Sequence, residues 1–268
     1  MSKTITALVG DISEHLTAEV DDGVLHIRLA RPKKLNALTG DMIDGLSAAV
    51  RWAAVSPLAR SVVLSAEGRA FSVGDDLSGL GPRMGVESAE AESIDAFPHV
   101  VTEILRIRKP VIVALQGAVY GAGMEIALAC DLRVGDTTTR FGPVYTSHAM
   151  AAGTTLLPMF VGVPAARRIL LLAEPIPADQ ALALGLLDEL SPEGESLRSA
   201  LTIAARLAHG PTRAYGLVKS ALLEGIGRGP LENLHAEENM SYQASLSDDA
   251  AEGLRAFEEK REPVYRGQ

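Results

Sequence analysis

Glu125 is the carboxylate with the least ordinary surroundings in the chain. It follows Met124 and precedes Ile126, Ala127 and Leu128 within the segment KPVIVALQGAVYGAGMEIALACDL, residues 109–132. That segment reads as a buried strand, a run of small residues, and a helix that carries one carboxylate. Small residues let a ligand approach the backbone closely, and the first N–H groups of a helix lack partners within it, so they attract negative charge. Ala122 stands three residues before Glu125 and shares its face in the first turn. The residues alone leave two roles open for Glu125, an acid/base group of a site or a buried partner of a structural cation. A second segment, GRAFSVGDDLSGL at 68–80, follows a strand and turns at Gly74 before Asp75 and Asp76. It fits a plain turn as well as a site, and if the two carboxylates met, ionising both would be costly.

Other chemistries find little support. The six histidines, at 15, 26, 99, 148, 209 and 235, have no metal-ligand spacing, so no metal is expected. The chain lacks a Gly-x-Ser-x-Gly elbow, a Gly-Lys-Ser/Thr phosphate loop and a His-Glu-x-x-His pair. Glycines 79, 81 and 85 miss the dinucleotide spacing and follow no strand. His148 is a lone imidazole, open to a structural or a catalytic role.

The elements that must position these residues follow from hydrophobic patterning. Runs at Val24 to Leu29, Ser61 to Ser65, Val111 to Leu115 and Leu132 to Val134 predict strands. Thr39 as N-cap, then Met42, Ile43, Leu46, Ala49, Val50 and Ala53 on one face, predicts a helix between the first two. This alternation indicates an α/β architecture. Beyond residue 163 the strand signals fade, and helices are expected at Pro164 to Leu172, Ala178 to Leu184 and Glu195 to Ala208. A last helix runs from Ser247 as N-cap through Ala250, Ala251, Leu254 and Phe257, and Pro263 prevents its continuation. The segment Gly79 to Pro98 reads as a loop or lid.

At 268 residues the chain can bury a substantial core without disulfides, and its single cysteine, Cys130, suits a reducing, cytoplasmic compartment. With 25 Lys and Arg against 34 Asp and Glu, the formal net charge is −9, which argues against general nucleic-acid binding. It leaves room for an anionic small ligand at a local cluster such as Arg31, Lys33 and Lys34. No stretch reads as a signal peptide or a bilayer span.

Taken in order, RPKKLNAL (31–38), FSVGDDL (71–77), YGAGMEIALACDL (120–132), TTLLPMFVG (154–162) and SDDAAEGLRAFEEKREPVY (247–265) resemble the enoyl-CoA hydratase/isomerase, or crotonase, superfamily. The resemblance covers nearly the whole chain. It implies a crotonase-like spiral of ββα units over residues 1–194, followed by a helical region over 195–268 that builds homotrimers, or hexamers as dimers of trimers. It also implies an acyl-CoA thioester as ligand, with no cofactor beyond the coenzyme A of the substrate. Two backbone N–H groups, of Asp75 and Ala122, would form the oxyanion hole. Lys33, Lys34, Leu35, Asp76, Leu77, Ser78 and Gly121 would line the substrate and CoA site, with Phe257 and Lys260 near the adenine, often that of a neighbouring subunit.

The family's hydratases hold water between two glutamates. Glu125 matches the first, but the second position is Tyr145, a donor with a pKa of about 10 and a poor base at neutral pH. The wall that follows, TSHAMAAG at 146–153, is shorter than the family's usual one, with Met150 near the place of an isomerase aspartate and His148 within it. The resemblance therefore implies hydration, dehydration or isomerisation of an enoyl-CoA, with Glu125 and Tyr145 as catalytic residues. The alternatives are an acyl-CoA decarboxylase or hydrolase on the same scaffold, and a catalytically silent acyl-CoA-binding protein.

Overall fold

The computed structural model describes residues 3–4, 13–77 and 92–268, with side chains described from Ser13 to Leu77 and from His99 onward. The first half contains β1 (Lys3–Thr4), β2 (Leu16–Asp21), β3 (Val24–Leu29), α1 (Gly40–Val55), β4 (Ser61–Ala66), α2 (Glu92–Arg106), β5 (Val111–Leu115), β6 (Ala118–Tyr120) and α3 (Ala122–Ala129). Then come β7 (Leu132–Asp136), β8 (Arg140–Gly142), α4 (Leu157–Leu172), β9 (Ile176–Pro177), α5 (Ala178–Ala183) and β10 (Glu189–Ser191). Four helices follow: α6 (Ser196–Ala208), α7 (Thr212–Glu224), α8 (Pro230–Ser245) and α9 (Asp248–Glu259). None of the described helices is long and apolar enough to cross a membrane.

The large sheet has the order β1-β2-β3-β4-β5-β7-β10, antiparallel through β3 and parallel beyond it. A small sheet, β6-β8-β9, lies one step further along each turn of chain. Thus β5, β6 and α3 form one ββα unit and β7, β8 and α4 the next. In the preceding turn, a bridge from Ser72 to Val119 takes the place of the short second strand. Strand β5, VIVAL, is buried throughout because both faces of the parallel sheet are covered. Leu25, Ile27, Leu64, Val113 and Leu115 face the core with α1, α2 and α3. Val24, Val63, Ile112, Ala114 and Val134 face Ala200, Ala204 and Ala208, spaced by four along α6, and these small side chains let that helix lie close to the sheet. All six residues assigned to the apolar face of α1 are buried, and each large one contributes about 1.5–3 kcal/mol.

Three sequence expectations need correction. Two short strands, β9 and β10, lie beyond residue 163, where only helices are expected. Both are edge strands of two or three residues, too short to show periodicity. Thr39 occupies the N-cap position of α1, but its hydroxyl bonds Asp41 Oδ1 at 2.5 Å rather than a backbone N–H. Of the segment 79–98, residues 79–91 lie outside the described residues, and 92–98 open α2.

The expected last helix is present as α9. Ser247 does cap it, accepting from Ala250 N at 3.1 Å. Its apolar residues nevertheless face outward, with Leu254 69% and Phe257 82% exposed, whereas Asp249 and Ala256 are buried. The reason lies in the C-terminal tail. Asp249 accepts from the N–H groups of Arg266 and Gly267 at 2.7 and 2.8 Å, while Arg60 reaches the carbonyls of Tyr265 and Gly210. The polar face of α9 is therefore the one drawn onto the subunit.

Candidate active site

Four chain segments converge around Glu125, and backbone hydrogen bonds hold them in register. The short turn Pro32–Lys34 ends with Leu35 and Asn36 in the left-handed region, at φ 51° and 52°. Asn36 is fully buried. Its amide donates to the carbonyls of Glu67 and Ala70, and its Oδ1 accepts from Arg31 N. The Asn36 carbonyl accepts from Ser72 Oγ, which in turn receives the Gly74 N–H. This side chain ties the 31–38 and 67–74 segments together. Asn36→Ala removes three hydrogen bonds and leaves a β-carbon residue without Asn's tolerance of this backbone region, so we expect a loss of about 2–4 kcal/mol in urea denaturation. A change below 1 kcal/mol, read on the scale of about 1 kcal/mol per net hydrogen bond, would reject that role.

Leu38 N donates to Gly74 O, and Asp76 N donates to Leu38 O, in a parallel bridge centred on Asp75. That pattern spends the groups flanking Asp75 and turns its own N–H to the opposite side. On that side runs the Tyr120–Ala122 segment. A β-carbon on Gly74 would stand 3.3 Å from Ala122 N and 3.1 Å from the Tyr120 carbonyl, and one on Gly121 would stand 3.6 Å from Gly74 Cα. Both glycines have positive φ, 93° and 52°, so both positions call for glycine on conformation, and Gly74 on space as well. Ala122 is the first residue of α3, and its N–H has no acceptor within the helix. The segments that carry the two predicted donors, Asp75 N–H and Ala122 N–H, thus run against one another.

Glu125 lies in the first turn of α3, only 6% exposed. Tyr145, equally buried, donates its hydroxyl to Glu125 Oε1 at 3.3 Å. Burial pushes the Glu125 carboxyl above its ordinary value, and the tyrosine hydroxyl works against that shift. The Tyr145 phenol is raised by burial first, then by the charge and hydrogen bond of Glu125, then by the charge of Asp75, so it stays protonated. Asp75 is raised by burial, opposed by its own backbone N–H. A β-carbon on Gly153 would fall 3.1 Å from the Tyr145 ring and 3.4 Å from Glu125 Oε1, which makes the end of the remodelled wall part of the site.

We expect Tyr145→Phe to move the acidic limb of kcat/KM to higher pH, because removing a donor to the carboxylate favours its protonated form. An unmoved or lowered limb in the pH profile would show that the hydroxyl does not act on Glu125.

The other predicted residues are placed less centrally. Asp76 bonds Arg31, Oδ2 to Nη1 at 2.6 Å, so Arg31 is offset by a carboxylate while Lys33 and Lys34 stand exposed on the turn leading into Leu35. Leu77 is exposed, and Ser78 lies outside the described residues. His148 is exposed and its Nδ1 lies 2.9 Å from the Val144 carbonyl, a local contact within its turn. Phe257 and Lys260 close α9, which packs on α8 rather than on the Glu125 site of its own chain. Residue reasoning overlooked Asn36, Ser72 and Gly153. Only Asn36 left a signal, as a lone amide in a run of Leu and Ala.

Residues 19–268 match the sequence profile of the family described as enoyl-CoA hydratase/isomerase. A Rhodobacter capsulatus protein named "Probable enoyl-CoA hydratase" is 34% identical over 253 residues, covering 93% of this chain and 96% of its own. The 4-chlorobenzoyl coenzyme A dehalogenase-1 of an Arthrobacter species is 32% identical, over 92% of this chain and 91% of its own. Among solved structures, one from Streptomyces coelicolor A3(2) superposes with a TM-score of 0.92 at 34% identity, covering 97% of this chain and 96% of that one.

Proposed function

Because the chain belongs to the enoyl-CoA hydratase/isomerase family, we propose that it hydrates, dehydrates or isomerises an enoyl-CoA by way of a thioester enolate held between the Asp75 and Ala122 N–H groups. The observation that carries this reading is the approach of Gly74–Asp75 to Gly121–Ala122 with Glu125 one helical turn away. Relatives whose names give a hydratase and a dehalogenase have the coenzyme A thioester in common, which is the part such a hole would polarise. Donors aimed at a developing enolate contribute about 2.7–4 kcal/mol each.

Glu125 is the proton-transferring group, and Tyr145 orients it through a hydrogen bond. Lys33 and Lys34 meet the phosphates of the coenzyme A, and the reaction asks for no cofactor beyond it. The outward Leu254 and Phe257, with the exposed Leu231, Leu234 and Tyr242 of α8, suit burial against further copies of this chain in a trimer. The test is the enoyl-thioester absorbance of crotonyl-CoA and of a longer enoyl-CoA. Loss of the band with purified protein supports hydration. If no enoyl-CoA or 3-hydroxyacyl-CoA turns over in a Glu125-dependent way, the proposal is wrong.

A further inference from the structure

Adjacent carboxylates, Asp75 and Asp76, meet different surroundings. Asp76 is neutralised by Arg31 at 2.6 Å. Asp75 precedes it at the bridge to Leu38 and is partly buried. The backbone just before it runs against the Tyr120–Ala122 segment, where a β-carbon on Gly74 would stand 3.3 Å from the Ala122 nitrogen. Among the described residues no cation pairs with Asp75. Tyr145 donates to Glu125 and also feels the charge of Asp75. A carboxylate beside an oxyanion hole would oppose the enolate unless it carries a proton at the moment that charge develops, and burial favours that protonated form.

We propose that Asp75 is the second acid/base residue of this site: its N–H holds the thioester oxygen while its carboxyl exchanges a proton with C2, and Glu125 serves the water at C3. The proposal rests on the thioester-enolate reading above. In hydration, Glu125 takes a proton from water as the water oxygen bonds C3, and the C2–C3 π pair moves to give the C1 enolate. The enolate then collapses, C2 takes the proton of the Asp75 carboxyl, and Asp75 is left as carboxylate. Exchange with solvent returns one proton from Glu125 to Asp75, so the sum is addition of one water. Tyr145 donates its hydroxyl to Glu125, and its part in this assignment is to hold that carboxyl.

The experiment follows two reactions in wild type, Asp75→Asn, Asp75→Ala and Glu125→Gln: hydration of crotonyl-CoA, and exchange of the C2 hydrogens of butyryl-CoA in deuterium oxide, read by mass spectrometry. Both Asp75 variants keep the backbone N–H, and calorimetry with butyryl-CoA checks that each still folds and binds. We expect both to lose C2 exchange by at least about 100-fold, and Glu125→Gln to lose hydration while retaining exchange. Wild-type exchange in the Asp75 variants, with exchange lost in Glu125→Gln, overturns the assignment to Asp75 and leaves the enolate reading standing. A wild type that neither hydrates nor exchanges overturns both.

Discussion

Glu125→Gln should lower kcat for enoyl-CoA hydration by about 10²–10⁴-fold, the range that general acid/base groups contribute. The amide keeps the shape of the side chain and an oxygen that accepts from Tyr145, so the 3.3 Å contact has a successor. Stability supplies the control. Burial raises the folded pKa of Glu125 above its ordinary value of 4.5, so the wild type binds the proton more strongly folded than unfolded. Whatever this carboxyl contributes is therefore fully present below the unfolded pKa and is lost as pH rises through the folded one. At neutral pH the wild type carries a desolvated charge that the variant lacks, and Glu125→Gln should be at least as stable in urea. Lost activity together with lost stability would mean that Glu125 is a structural anchor. Full activity would remove it from the mechanism.

Ala122→Pro should lower kcat by about 10²–10³-fold with the helix intact. Ala122 is the first residue of α3, the one helical position where proline's fixed φ fits and its missing N–H costs the helix nothing. Gly121, with φ 52° and ψ −127°, precedes it in the mirror image of the extended region, where the proline ring meets no β-carbon. The substitution thus deletes one oxyanion donor and little else. Circular dichroism and urea denaturation would show whether the fold is kept. Activity within threefold of wild type, set against the hundredfold or more that such donors contribute, would mean that the thioester oxygen lies elsewhere.

Local patterning was enough for the longer elements and their kind, though not for edge strands as short as β9 and β10. Strand β5, the helix through Met42, Leu46 and Val50, and the fully buried α3 were legible because each is a run whose apolar period matches one secondary structure. The isolated carboxylate of Glu125 in an apolar helix was legible as well, since a buried charge stands out against its neighbours without knowledge of its partner. The pairs at φ 51° and 52° were not, because Leu35 and Asn36 carry no glycine-like signature and take that backbone only when Glu67, Ala70 and Ser72 are in place to bond them.

Tertiary structure alone decided which groups meet. That Asp76 pairs with Arg31, and that Asp75 is held at the Gly74–Ala122 approach, depends on a bridge to Leu38, far away in sequence. That α9 turns Phe257 outward depends on a C-terminal tail whose N–H groups claim Asp249. Hydrophobic period reports how a segment sorts its own side chains between water and core. It carries no record of hydrogen bonds to distant segments, and at Asp75 and in α9 those bonds decide how the segment is turned.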